Sequence, residues 1–203
     1  MTATFPAPAW LVGCGNMAGA MVDGWRAAGI DLSSVTAIRP SGTPVDGVRT
    51  ITALPAGEMP RFVMLGVKPQ KLGDVAPRLA PHVGEETILV SLLAGVTAAT
   101  LRQWFPAARA IVRAMPNLPV AQGEGVTALY SEDDDAEARS QVDTLMTLLG
   151  LAPWCDVEAS FSAIGAVAGS GPAYVARFAA ALARGGEGLG LEPRLAYQVA
   201  VQT

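Results

Sequence analysis

Charge is scarce in this sequence: 16% of its 203 residues are Asp, Glu, Lys or Arg, against 51% that are hydrophobic. Disordered chains show the opposite balance, so this one is expected to fold around a core, with length for one large domain or one and a fraction. Basic residues are in slight deficit, giving a net charge of −4. That excludes the electrostatic footprint of a nucleic-acid or anionic-membrane binder and leaves a small molecule as the expected partner. Cysteine is almost missing. Cys14 and Cys155 stand far apart, outside any CxxC or metal-ligand spacing, so neither a disulfide framework nor a metal site is expected, and a reducing cytoplasm fits best. The sole histidine, His82, lies in Pro81-His82-Val83-Gly84 and is expected at the surface, while Cys14 reads as a small packing residue. Long apolar runs are absent too. The uncharged stretch 159–176 is broken by Gly169-Ser170-Gly171-Pro172, which reads as helix ends and not as a membrane span. Residues 1–10 hold Pro6 and Pro8 with no basic segment before an apolar run, so no secretory leader is expected.

What is present is an alternation of short apolar, β-branched runs with helical stretches, the pattern of parallel strands joined by crossover helices. Strands are expected over 10–13, 35–38, 48–51, 62–67, 87–91 and 110–114, with a seventh near 126–130 and an edge strand over 151–156. Between the second and third there is only Arg39 to Gly47, and Ser41-Gly42-Thr43-Pro44 is turn chemistry, so no crossover helix fits. Ser131-Glu132-Asp133-Asp134-Asp135 supplies an acidic cap for a helix running to about Leu149. Past Asp156 the texture changes. Arg177, Arg184 and Glu187 are the only charged residues from Ala159 to Leu191, and alanine dominates. The expected architecture is therefore α/β, a Rossmann-like doubly wound and mostly parallel sheet over 1–157, followed by an all-α segment over 158–203. Pro172 is placed just inside a helix start, Gly185-Gly186 near its end, and Pro193 at the opening of a last helix. Helices apolar on nearly all sides require burial that so short a segment cannot give itself, so a partner subunit or further residues must cover them, and a stable monomer is not expected.

The chemistry concentrates where such a sheet presents its strand ends. Gly13-Cys14-Gly15-Asn16-Met17-Ala18 follows a strand and opens a helix. Gly13 suits the tight turn, Gly15 lets a pyrophosphate approach the backbone, Ala18 lets helix and strand pack closely, and free N–H groups at the helix start favour the anion. At the end of the second strand, where an NAD site carries an acid, stands Arg39, followed by Ser41, which favours a 2′-phosphate and hence NADPH over NADH. Gly66-Val67-Lys68-Pro69 leaves the fourth strand and Ser91-Leu92-Leu93-Ala94-Gly95-Val96 the fifth, with Gly95 free to approach a flat ring. Arg113-Ala114-Met115-Pro116-Asn117-Leu118-Pro119 is expected as a proline-stiffened loop bringing the Asn117 amide to the same edge.

In that order these motifs resemble the pyrroline-5-carboxylate reductases: the Gly-rich opening with Asn-Met, Val-Lys-Pro at Val67 to Pro69, Ala-Gly-Val at Ala94 to Val96, and Arg-x-Met-x-Asn-x-Pro at Arg113 to Pro119. Gly169-Ser170-Gly171-Pro172-Ala173-Tyr174 is the most specific match, and in that family it links the dinucleotide domain to a helical dimerisation domain. The resemblance covers nearly the whole chain. It implies hydride transfer from NAD(P)H to the C=N carbon of 1-pyrroline-5-carboxylate, the last step of proline biosynthesis, in a cytoplasmic homodimer or higher oligomer. Cofactor contacts are then expected at Val12, Gly13, Gly15, Asn16, Met17, Arg39, Val67, Lys68, Pro69, Ala94, Gly95 and Asn117. Asn117 and Tyr174 are the substrate-proximal candidates, although a tyrosine packed in the core is the commoner case. No dedicated acid is required, since a protonated cyclic imine already accepts hydride well.

Three departures qualify that expectation. Leu118 stands where the family usually has Thr. The helix missing after Arg39 shortens the adenosine side. No segment matches the family's Ser-Pro-Gly-Gly-Thr type substrate loop, so a C-terminally shortened chain is expected, one that binds cofactor with little turnover. The alternatives are a cofactor-binding, dimerising remnant and a related imine reductase. A 3-hydroxyacid reductase is disfavoured because no lysine occurs from Ala173 to Leu191.

Overall fold

The computed structural model describes residues 4–203; the first residues of the segment read for a leader, 1–3, lie outside the described residues. Two compact units divide the chain at Gly165 and Ala166. The first is built on one eight-stranded sheet: β1 (Ala9–Val12), β2 (Val35–Ile38), β3 (Arg49–Ile51), β4 (Phe62–Leu65), β5 (Ile88–Ser91), β6 (Ala110–Pro116), β7 (Gly125–Tyr130) and β8 (Gly150–Leu151). Their order is β3-β2-β1-β4-β5-β6-β7-β8, and every pairing is parallel except β6 with β7. The chain starts at β1 and winds outward in both directions, so the strand order reverses beside β1, where a doubly wound sheet opens its crevice.

Both faces of β1 are covered, which is why its Ala-Trp-Leu-Val run is apolar throughout instead of alternating. Ala9 and Leu11 join one core with Met21, Val22 and Trp25 of helix α1 (Asn16–Ala27) and with Val142, Leu145 and Met146 of α4 (Ala136–Thr147). Trp10 and Val12 turn to the opposite core, shared with Leu72, Ala76 and Leu79 of α2 (Leu72–Leu79) and Leu101 of α3 (Ala98–Trp104). On α1 the buried residues Ala18, Met21, Val22 and Trp25 recur at i, i+3, i+4 and i+7, the stripe a helix needs to lie on a sheet. Trp25 also donates its indole N–H to the Leu145 carbonyl at 2.7 Å, tying α1 to α4.

The acidic segment before α4 caps as expected. The Asp135 carboxylate accepts from the Ala138 backbone at 2.8 Å and from Arg109 Nε at 2.8 Å, and both contacts hold its pKa below the usual carboxylate range. Neighbouring Asp133 takes two bonds from Arg102, at 2.6 and 2.7 Å, plus the Ile111 N–H at 2.7 Å. Two segments that a full doubly wound fold would make helical are irregular: 39–48, as expected, and 52–61 between β3 and β4.

Corrections concern the last third. The edge strand expected over 151–156 is reduced to Gly150–Leu151 and a single bridge from Trp154 to Leu129, because Pro153 interrupts the run. Pro172 does not start a helix: α5 runs unbroken from Glu158 to Gly188 through Pro172 and both glycines that precede it. A helix-interior proline loses one N–H donor and crowds the previous turn. Here Gly169 and Gly171 face open space away from the helix, and Ser170 Oγ donates to the Ala166 carbonyl at 2.6 Å. Gly185-Gly186 lies near the end of a helix as expected, since α5 stops at Gly188, just before Gly190 with φ +94°.

In the second unit Ala183 of α5 and Ala196 and Ala200 of α6 (Pro193–Gln202) are buried, and a Cβ at Gly186 of α5 would lie 3.3 Å from the Ala196 Cβ. Pro193 opens α6 as expected, and the Glu192 carboxylate accepts from Leu195 N at 3.0 Å to cap it. Much of what remains apolar on α5 is uncovered, Val167, Val175 and Phe178 among it. Among the described residues no helix is long and apolar enough to cross a membrane.

Candidate functional site

The carboxyl ends of β1, β4 and β5 meet at a pinch made by glycines. Gly13 leaves β1 with φ +80°, and a Cβ there would lie 2.6 Å from Val67 Cγ1 and 2.9 Å from Val67 N. A Cβ on Gly66 would in turn collide with the Gly13 carbonyl oxygen. No side chain but hydrogen fits at either position. Beyond the pinch α1 begins with Gly15 at its N-cap and no side chain capping it, so its first-turn N–H groups face outward without a side-chain acceptor. Nothing stands within 4 Å of a Cβ at Gly15, and Gly15 and Asn16 are exposed. Uncapped donors, the positive end of a twelve-residue helix and open space in front of it fit the pyrophosphate of a dinucleotide. Cys14 points the other way, into the core, and burial raises its thiol pKa; the Arg39 cation offsets this in part.

A cleft of about 740 Å³ opens beside the pinch. Val12, Gly13, Val67 and Lys68, all expected from the sequence, line it. The rest of its lining carries no motif: Ile38 at the end of β2 and Pro40 just after it, Thr52 and Leu54 after β3, Val75 and Arg78 on α2, and His82. His82 is half-buried there, a correction to its surface placement, with Nδ1 3.1 Å from the Glu58 carbonyl and its ring 5.3 Å from that of Trp10. Lys71 and Asp74 also line the cleft and pair at 2.9 Å; that hydrogen bond and the nearby charges lower the Asp74 pKa.

The remaining expected residues are distributed along the edge. Arg39 is half-buried, continues the sheet by donating its N–H to Ile51, and directs Nη1 to the Thr43 carbonyl at 3.0 Å, while Thr43 bonds Ser41 Oγ. Met17 is half-buried against the α1 side of the core, and Pro69 starts a 3-10 turn into α2. Ala94 and Gly95 are exposed after β5, and Gly95 has φ +75° with open space beyond it. Met115 and Pro116, expected in a loop beyond a strand over 110–114, extend β6, where they pair antiparallel with Ala128 and Thr127 of β7. Asn117 follows at that edge, but its Oδ1 accepts from Val126 N at 2.8 Å and its own N–H donates to Val126 O, fastening β6 to β7. Tyr174 lies on α5 and is 71% exposed, so a core placement is not what the fold gives it.

One residue quoted only as part of a motif has a definite task. Arg113 is buried, donates to Glu158 Oε1 at 2.7 Å and sits 4.3 Å above the Phe161 ring. The same Glu158 oxygen caps α3 by accepting from Ala98 N at 3.1 Å. An arginine inside an apolar strand was the signal for such a partner, since a buried charge requires one.

Residues 158–203 match the pyrroline-5-carboxylate reductase dimerisation family, and residues 10–95 match the family described as NADP oxidoreductase, coenzyme F420-dependent. A pyrroline-5-carboxylate reductase of Pseudomonas aeruginosa is 34% identical over 200 residues, which span 95% of this chain and 73% of that protein. The Pisum sativum enzyme of the same name is 34% identical over 203 residues, spanning 95% of this chain and 72% of its own length. The solved structure of a pyrroline-5-carboxylate reductase from Coxiella burnetii superposes with a TM-score of 0.88 at 32% identity, covering 97% of this chain and 76% of that one. Motif order, sheet topology and these similarities agree: the chain belongs to the pyrroline-5-carboxylate reductase family.

Proposed function

We propose that this chain binds NADPH along the carboxyl edge of its sheet and reduces 1-pyrroline-5-carboxylate to L-proline. The observation that carries the reading is the glycine pinch at Gly13 and Gly66 beside the uncapped start of α1 and the adjoining cleft. Gly13, Gly15, Asn16 and Met17 hold the pyrophosphate, with Lys68 beside it; Arg39 borders the adenosine ribose; Val12, Val67 and Pro69 flank the adenosine; Ala94, Gly95 and Asn117 border the nicotinamide. The bound nucleotide supplies a hydride, which adds to the C=N carbon while the ring nitrogen, already protonated, keeps its proton and becomes the amine. The chain's own residues need only orient the two rings and exclude water. Asn117 and Tyr174 are retained as substrate-proximal residues, and NADH as the weaker cofactor.

The functional division is drawn at 157/158, with the helical part as a dimerisation domain. The match of 158–203 to a dimerisation family and the exposed apolar residues of α5 support a homodimer or higher homo-oligomer. A cytoplasmic location accords with a nicotinamide substrate pool and with two unpaired cysteines. The test is loss of reduced-nicotinamide absorbance when 1-pyrroline-5-carboxylate is added to the purified chain with NADPH. Saturable oxidation supports the reading; NADPH binding without oxidation overturns the reaction while leaving the cofactor site; oxidation only with other cyclic imines reassigns the substrate.

A further inference from the structure

One wall of the cleft is a helical stripe. Lys71, at the N-cap of α2, and Asp74, Val75 and Arg78 recur at i, i+3, i+4 and i+7, and all four line the cleft. Resting on the cofactor reading above, we propose that Arg78 is a specificity residue for that cofactor, engaging the 2′-phosphate that separates NADPH from NADH.

The charges lining the cleft point to Arg78 by their commitments. Arg39 directs its guanidinium to the Thr43 carbonyl and does not line the cleft. Lys68 lines the cleft with Gly13 and Val67, beside the glycine turn where a pyrophosphate belongs. Lys71 is paired with Asp74 at 2.9 Å. Arg78 lines the same cleft, is exposed, and has no hydrogen bond or ion pair among the described residues. Direction favours it as well. Helix α2 follows β4 and runs back from the carboxyl edge, and helical side chains lean toward the N-terminus of their helix. A side chain at position 78 is thereby directed toward the edge, where Ile38, which ends β2, and Pro40, just after it, border the same cleft. Asp74 between them would repel a phosphate without a cation on each side; Lys71 and Arg78 provide the two. Arginine matches a phosphate with a planar fork of donors, which lysine does not.

The experiment measures dissociation constants for NADPH and NADH by fluorescence titration of the wild-type chain and of Arg78→Ala, Arg78→Lys and Arg39→Ala. Arg78→Ala is expected to weaken NADPH about tenfold, the effect of one charge-assisted contact, and to leave NADH within about twofold, with Arg78→Lys intermediate. Equal weakening of both cofactors by Arg78→Ala, or selectivity lost only in Arg39→Ala, overturns the inference while the cofactor site stands. A wild-type chain that binds neither nucleotide overturns the cofactor reading, and this inference with it. Circular dichroism of each variant checks the fold, and Arg78→Gln serves if the alanine variant is unstable.

Discussion

Arg113 on β6 and Glu158 at the start of α5 form a 2.7 Å ion pair in which the arginine side chain is only 6% exposed. Strand and helix are 45 residues apart in sequence and are joined at that point by charge. The Phe161 ring covers the guanidinium, and the second contact of Glu158, to Ala98 N, brings α3 into the same knot. Removing one member of such a pair strands the other in a poorly solvated place. Arg113→Ala should cost about 3–5 kcal/mol in urea denaturation, and Glu158→Gln clearly less, because a neutral amide oxygen still accepts from Ala98 and Arg113. Equal losses would place the stabilisation in packing, not in charge.

Gly13 and Gly15 separate folding from binding. Gly13→Ala forces a Cβ into Val67 at φ +80° and is expected to destabilise the fold by about 1–3 kcal/mol as well as abolish cofactor affinity. Gly15→Ala meets nothing in the protein and should melt like the wild type, yet lose NADPH binding where its methyl occupies the phosphate approach. Thermal melting with and without NADPH distinguishes the two, since only a binding-competent variant shifts on adding ligand.

Stability should fall in acid through Asp135. Its native pKa is depressed by the Ala138 N–H and by Arg109, whose own pKa rises in return. A depressed carboxylate contributes stability that is complete above the unfolded value, near 3.9, and is lost as pH drops from there through the lower native pKa, because the unfolded chain takes up the proton first. Asp135→Asn keeps a capping oxygen but has no charge to titrate. The variant should be less stable than wild type at pH 7, and the gap should narrow in urea titrations below about pH 4.

Phe178 and Val175 are 66% and 69% exposed on α5. If that surface joins two copies, Phe178→Asp should convert the oligomer to monomer in sedimentation equilibrium while circular dichroism of the sheet-based unit stays unchanged, since neither side chain belongs to its cores. An unchanged mass would exclude this surface from the interface.

The sheet and the glycine turn beside the cleft were legible because both rest on local rules. An apolar strand followed by Gly13-x-Gly15 and a helix has one reading, and Val67-Lys68-Pro69 after β4 falls beside it by topology. Pro172 does not open a helix because the proline rule is local, while α5 is helical in the turns on either side of it. Asn117 was legible as an edge residue but not as the fastener of β6 to β7, which depends on pairing nine residues away. The rest of the cleft lining was not legible at all. Leu54, Val75, Arg78 and His82 carry no shared motif and come together only through the tertiary fold.

The sheet has short ends. β3, at one margin, pairs through three residues and β8, at the other, through two. A strand from another molecule needs a longer row of free amides and carbonyls to dock against, so eight strands of hydrogen-bonding capacity are closed to intermolecular growth on both flanks. A chain this poor in charge, with so much Val, Ile and Leu in β conformation, would otherwise be prone to fibrillar stacking; the two stubs are what keep its β structure finite.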